Sequence, residues 1–419
     1  MAGLLNELKA ENKKSGIFES REVAVCYPMG FPILDQNLGY KFTYKKEDGT
    51  EGTATRLGLP AGTHTMFVGP PSSGKTTAAI QAAWNIVQPF GEDALVVLCD
   101  KEKSMTYKRV KDITGMSDYD IQNNFQLKQE GNTMEGILEL VVQIANKKKS
   151  DPNRYMYNTK QKDIFGKDIW YYIPTVIVCD SLLSITSEQE ALDEISGMTS
   201  GGREAGYRGK FYRNTLDYMS ECNINMIMIN HLKDNIAMGP GAGAKKLTFA
   251  PTGKIIPGGE APQMWSSSII IFQPVNSKDG IKTEDTEGYN GLPVKALVSK
   301  CRTGRGGTVA ELELVQEAGF NPVITLMNYA RAKGLIQGRN PKSYFQGAED
   351  VIFDTRTFIK DIATRPEIIQ ALFRSTGPAL NEEINFVKYD DDNDFLRGQE
   401  SKNNIRDLMR QAFDPTYME

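Results

Sequence analysis

The run Gly69-Pro70-Pro71-Ser72-Ser73-Gly74-Lys75-Thr76 carries the spacing G-x-x-x-x-G-K-[ST] in full. Those residue types at that spacing suit a triphosphate. Glycines let successive backbone N–H groups turn inward around phosphate oxygens, and the N-terminus of a following helix adds positive dipole charge. Lys75 is placed to reach the β and γ phosphates, and the Thr76 hydroxyl, next to Thr77, to take a position on Mg²⁺. Two apolar stretches further on end in acids. Thr175–Cys179 closes on Asp180, as a group holding water on Mg²⁺ must, and Ala94–Cys99 closes on Asp100-Lys101-Glu102. Hydrolysis needs a carboxylate that orients and polarises water, and Glu102 is preferred to Asp100 for that task. A helix-terminal acid complementing a dipole is the plainer alternative for Glu102. Asn225–Ile229 ends in Asn230-His231, a polar pair able to sense the γ-phosphate. Lys300 and Arg302 follow the apolar stretch Val294–Val298; cations there neutralise transition-state charge or merely decorate a solvated hairpin end.

These groups need elements to hold them. His64–Val68 reads as a buried strand ahead of the glycine-rich run, and Thr77–Trp84 as the helix after it. Ala94–Cys99, Thr175–Cys179, Met226–Ile229, Ser268–Phe272 and Val294–Val298 are further short apolar strands, alternating with helical stretches. That rhythm predicts an α/β fold with a mostly parallel central sheet, its ligand beyond the carboxyl ends of the strands. The Ala94–Cys99 strand is expected beside the phosphate-loop strand. Val23–Cys26 is an expected strand, and residues 40–57 alternate around Glu47-Asp48-Gly49-Thr50 as a β-hairpin does. Residues 187–210 and 232–259 are expected to be long polar, glycine-rich loops, of the length that is usually functional. Beyond residue 330 the pattern reads as helical without strands, ending in the acidic stretch Tyr389–Asp394 and a short helix.

Bulk properties set limits. The formal net charge of −4 excludes a globally basic nucleic-acid binder, so any such contact must be a local patch. Five widely spaced cysteines argue against a disulfide framework and for a reducing compartment, with Cys99 and Cys179 expected as small core residues. With two histidines and no close Cys/His pairs, a structural zinc site is not expected. No apolar run reaches membrane-span length and the N-terminus does not read as a signal peptide, so the expectation is a cytoplasmic protein without membrane contact.

Taken in order, these pieces resemble the RecA family of DNA strand-exchange ATPases, particularly its phage-type members, over about residues 20–330. Met29–Gly39 is similar to the family's T-G-x-x-x-L-D-x-x-L-G, and Gly58–Gly62 to its G-L-P-x-G, with residues 40–57 inserted between. Gly69–Thr77 is similar to G-P-E-S-S-G-K-T-T with Pro71 in place of the acid, Asp180-Ser181 to V-D-S, and Asn230-His231 to the phage variant of Asn-Gln. Pro257–Ala261 resembles the G-G-x-A that closes the second DNA loop. The resemblance implies a RecA-like P-loop ATPase core at 61–330. Before it stands a short N-terminal oligomerisation arm with the hairpin insertion (1–60), and after it a helical C-terminal region with an acidic tail (331–419).

It implies further that 187–210 and 232–259 line a helical homo-oligomeric filament and grip single- and double-stranded DNA, with Arg203, Arg208, Lys210, Lys233, Lys245 and Lys246 as contacts. Tyr207 and Phe249 are candidates to stack on bases and Tyr107 on adenine. Lys300 and Arg302 would reach a neighbour's ATP. The cofactors implied are ATP and Mg²⁺, and the activity that of a DNA-dependent ATPase catalysing strand exchange in recombination and repair. A phage-encoded chain would act in the host bacterial cytoplasm, with single-strand-binding and mediator proteins as further partners. A hexameric helicase on the same core and a non-exchanging mediator paralogue are the rival readings.

Overall fold

The computed structural model describes residues 24–46, 48–163, 166–188, 201–234, 249–275, 291–315 and 317–381; the side chains of Lys45, 201–205 and Asn381 also lie outside the description. In chain order the first elements are β1 (Cys26–Tyr27), α1 (Pro32–Asn37), the hairpin β2 (Tyr40–Lys45) and β3 (Glu51–Arg56), β4 (Leu59–Pro60), β5 (His64–Gly69) and α2 (Lys75–Val87). There follow β6 (Leu95–Asp100), α3 (Tyr107–Thr114), α4 (Asp118–Asn124), β7 (Phe125–Lys128), α5 (Met134–Ser150) and the short α6 (Pro152–Tyr155). A second hairpin, β8 (Met156–Lys162) and β9 (Asp168–Tyr172), precedes β10 (Thr175–Asp180), α7 (Gly201–Cys222) and β11 (Ile224–His231). Then come β12 (Lys233–Asp234), β13 (Lys254–Ile255), α8 (Glu260–Trp265), β14 (Ser268–Pro274), β15 (Gly291–Cys301), β16 (Thr308–Val315) and β17 (Gly319–Phe320). The described chain finishes with α9 (Pro322–Ala332), the strands β18 (Ile336–Arg339), β19 (Lys342–Phe345) and β20 (Ala348–Phe353), α10 (Phe358–Asp361) and α11 (Pro366–Asn381).

Nine strands form the central sheet in the order β17-β16-β15-β14-β5-β11-β10-β6-β7. The pairings from β14 to β7 are parallel and those from β14 to β17 antiparallel. The parallel strands read as unbroken apolar runs because both faces are covered. Alternate residues divide accordingly. Phe67, Leu98, Val178, Ile229 and Phe272 pack with α2 on one face, while Val68, Cys99, Cys179, Met228 and Ile271 pack with α5 and α7 on the other. Cys99 and Cys179 are thus core residues, as their apolar setting predicts.

The strand carrying Glu102 is not beside the phosphate-loop strand. β11 and β10 lie between β5 and β6, so the expected adjacency is replaced by pairing of β6 with β10, Asp100 opposite Asp180. Local apolar patterning reveals strands; their order is set by how crossovers pack, which no single strand records.

The hairpin at 40–57 forms as expected, Tyr40 opposite Arg56 and Lys45 opposite Glu51. The first strand is shorter than expected, Cys26–Tyr27 paired with Leu59–Pro60; Val23 lies outside the described residues. Two further corrections concern loops and tail. Residues 201–210, expected as loop, are the first half of the helix α7. Arg208, Phe211, Tyr212 and Thr215 are all buried at i, i+3, i+4 and i+7 spacing, and burial of that stripe outweighs the weak helix propensity of Gly206 and Gly209. The region after 330 does contain strands. β18–β20 make a small antiparallel sheet whose Phe345 and Phe353 stack at 4.5 Å and pack with α9 and α11. The expected N-terminal arm, the acidic stretch 389–394 and its terminal helix lie outside the described residues.

Candidate nucleotide site

The phosphate loop joins β5 to α2 and is held open by its backbone. Ser72 (φ 59°) and Gly74 (φ 79°) are left-handed, the alternation that turns consecutive N–H groups toward one anion. A Cβ on Gly74 would come within 2.8 Å of Phe320 Cζ, and one on Gly69 within 2.6 Å of Phe272 O, so neither position tolerates a side chain without movement. Lys75 is 8% exposed and its Nζ donates to Pro70 O at 3.2 Å, folded back over the loop. The buried Ser73 hydroxyl has no hydrogen-bond partner among the described residues. A cradle with a folded-back lysine and an orphaned hydroxyl fits a triphosphate.

The ends of three further strands, β10, β6 and β11, converge on this loop. Thr76 Oγ1, at the start of α2, donates to Asp180 Oδ2 at 2.9 Å, so the two residues proposed for Mg²⁺ already touch. The Asp180 carboxyl is pushed up to about 6, chiefly by burial and further by Glu102 and Asp100, against the lowering effect of Thr76 and Lys75. Lys75 is lowered by burial, with Asp180 and Glu102 opposing. His231, opposite Gly69 in the sheet, is lowered by burial and by Lys75, while Glu102 pulls it the other way. Lys75, Glu102, Asp180 and His231 therefore share one electrostatic neighbourhood, although their strands are scattered through the sequence. No cluster of three or more His, Cys, Asp or Glu able to hold a metal occurs among the described residues. A cation at Thr76 and Asp180 would draw its other ligands from phosphate and water, as Mg²⁺ characteristically does.

Asp100 and Glu102 are differently situated. Asp100 is 1% exposed and its Oδ2 accepts from Met105 N (2.9 Å) and from Gln129 Nε2 (3.1 Å), whereas Glu102 is exposed. Asp100 is engaged in holding the loop, and the carboxylate two residues on is the one open to a ligand. Gln129, just past β7, also donates to Met105 O at 3.2 Å. A lone amide after a strand carries no motif, so nothing in the sequence marks it.

The remaining candidates sit in distinct places. Tyr107 opens α3, is 43% exposed and stands edge-on to Phe125 with 6.4 Å between centroids. Asn230 is buried at the end of β11 and its Nδ2 donates to Pro257 O at 2.8 Å, where the second long loop returns. Lys300 Nζ donates to Gln263 O (2.7 Å) and Met264 O (2.9 Å) at the end of α8 and lies 4.9 Å from the Phe249 ring centroid. Burial, helped by Arg302, lowers it to about 8. Arg302 Nη2 donates to Met264 O at 2.6 Å. Both cations thus rest on the carboxyl end of α8.

Of the proposed DNA contacts, Lys210 and Lys233 are exposed, Lys210 near the Tyr207 ring. Arg208 departs from expectation: it is 3% exposed, on the packed stripe of α7 beneath Gly258, and is not a surface cation here. The Arg203 side chain, Lys245 and Lys246 lie outside the description. Lys254 is paired with Asp234 at 2.6 Å across β12 and β13.

No protein-family model matches the chain. Among curated proteins it is similar to the protein RecA of Rippkaea orientalis, 22% identical over 340 residues covering 80% of this chain and 83% of that protein. It is 24% identical to the protein RecA of Thermus aquaticus over 316 residues, 75% and 78% of the two chains. It is 21% identical to that of a Picosynechococcus species over 372 residues, 87% of each. The α/β fold, with its nine-stranded mostly parallel sheet and the phosphate loop at the carboxyl edge, is consistent with a RecA-like core.

Proposed function

We propose that the chain is an ATP-dependent DNA recombinase of the RecA type, which assembles into a helical filament on single-stranded DNA and exchanges strands with a homologous duplex. The observation that carries this reading is the end of β11. His231 lies opposite Gly69 of the phosphate loop, and the adjacent Asn230 amide holds Pro257, where the second long loop rejoins the core. One strand terminus therefore touches both the phosphate side and the foot of a lysine-bearing loop, which supports coupling of nucleotide state to DNA grip.

Each residue's task follows from its position. The loop N–H groups and Lys75 hold the β and γ phosphates, and Thr76 with Asp180 would hold Mg²⁺. That ion, when bound, supplies charge neutralisation on the phosphate oxygens. Glu102 orients the attacking water and accepts its proton, a role Asp100 is not free to fill. His231 senses the γ-phosphate. Lys300 and Arg302 swing from their resting carbonyls toward a neighbour's nucleotide. Lys210 on α7 and Lys233 on β12 contact the DNA backbone, with Arg203, Lys245 and Lys246 as further contacts.

The test is oligonucleotide affinity with ATP analogue, with ADP and without nucleotide, together with strand exchange and electron micrographs. Affinity that follows the nucleotide, open filaments and exchanged product support the reading. Nucleotide-indifferent affinity, or closed rings that unwind a fork, would replace it.

A further inference from the structure

We propose that Gln129 is a positioning residue for Glu102, a role resting on the reading of Glu102 as the hydrolytic carboxylate. Residues 101–106 leave β6 and reach α3 without regular structure, so the segment bearing Glu102 depends on individual anchors. Lys101 N donates to Asp180 O at 2.9 Å, fixing its start beside the Mg²⁺-side acid. Met105 fixes its end, and both of its backbone polar groups are bound: N–H to Asp100 Oδ2 (2.9 Å), C=O to Gln129 Nε2 (3.2 Å). The same Gln129 Nε2 donates to Asp100 Oδ2 at 3.1 Å. One amide group thereby closes a ring of Asp100, Met105 and Gln129 around a short loop in which Lys103 is left-handed (φ 52°).

Gln129 is itself preset. Lys128 Nζ donates to Glu130 O (2.6 Å), Gly131 O (2.6 Å) and Asn132 Oδ1 (3.1 Å), and Asn132, 1% exposed, returns a bond to Lys128 O at 2.9 Å. The turn's far end is tied by Met134 N to Thr186 O at 3.1 Å. A rigid turn presents an amide, the amide pins both ends of the Glu102 segment, and the same bond occupies Asp100 Oδ2. Removing the amide leaves the nucleotide cradle intact but frees Glu102 to wander, and a misplacement of about 1 Å costs on the order of 100-fold in rate.

The test is a double-mutant cycle on the full chain with saturating single-stranded DNA, comparing Glu102→Gln, Gln129→Met and the pair, with ADP affinity measured for each. Gln129→Met is expected to lower kcat about 10- to 100-fold with ADP affinity kept within about twofold, and to add nothing in the Glu102→Gln background. Gln129→Glu, which sets a carboxylate against Asp100, should do the same and serves if the methionine variant does not fold. Unchanged kcat, an effect accounted for by lost ADP affinity, or effects that multiply in the double variant would overturn the assignment. If Glu102→Gln alone keeps wild-type turnover, the carboxylate reading fails first and the role of Gln129 falls with it.

Discussion

Asp180→Asn is expected to stabilise the nucleotide-free protein while disabling it. The Asp180 carboxyl, raised from its ordinary 3.8 to about 6 mainly by burial, is ionised at pH 7.5 in a place that disfavours charge. At 1.36 kcal/mol per pH unit, that rise corresponds to about 3 kcal/mol of destabilisation held until a cation arrives. Asparagine removes the charge and keeps an acceptor for the Thr76 hydroxyl. Between pH 4 and 6 the unfolded chain has released this proton while the folded chain retains it, so the penalty grows as pH rises, is complete above 6 and vanishes below about 4. Thermal unfolding without nucleotide or Mg²⁺ at pH 7.5 should give a Tm about 4–6 °C above wild type, at roughly 2 °C per kcal/mol for a domain of this size. The gap should close by pH 4, while Mg²⁺-dependent turnover is lost at all pH values. A Tm at or below wild type at pH 7.5, or a gap independent of pH, would refute the claim that the site stores an unfavourable charge.

Other residues give sharper local tests. His64 is fully buried, bonded to Thr215, and lowered to about 3, so its own contribution to stability should fall by up to about 1.4 kcal/mol per pH unit below 6.5, read as the change with pH in the difference between the urea midpoints of wild type and His64→Gln. Lys148 Nζ donates to Ile173 O, Cys222 O and Asn223 O at 2.6, 2.9 and 3.2 Å; Lys148→Met should cost about 3 kcal/mol in chemical denaturation by removing these buried hydrogen bonds. Asn230→Ala should shrink the ratio of oligonucleotide affinities with ATP analogue and ADP, read by fluorescence anisotropy, while leaving nucleotide affinity within about twofold. Lys300→Ala should lower DNA-stimulated turnover more than nucleotide binding by dilute protein, and mixing it with Asp180→Asn should restore part of the rate.

What the sequence disclosed and what it hid divide along physical lines. The phosphate loop and the strands before Asp180, Asp100 and Asn230 were legible because each is a local signal, an apolar run with a polar stop. The neighbourhood of Lys75 and Glu102 was anticipated, but for a mistaken reason. Their strands do not touch, and it is the excursion of residues 101–106 that brings the carboxylate near. Glycine content misled at 201–210, where a tertiary stripe through Arg208 and Tyr212 overrides propensity and turns a supposed DNA contact inward. The strands at 336–353 were missed because they are short and half-exposed, with Phe345 and Phe353 their main apolar signal. Gln129 was invisible because its importance lies wholly in partners distant along the chain.

The interleaving of the central sheet has a consequence for how the molecule comes into being. β5 and β6 emerge early from synthesis, but β10 and β11, made later, must slot between them before Lys75, Glu102, Asp180 and His231 can meet. A nascent chain ending near residue 170 owns the glycine-rich turn yet has no finished pocket. A triphosphate held in the proposed site would therefore not rescue early folding intermediates by mass action; it would stabilise only chains whose long-range strand insertion is complete.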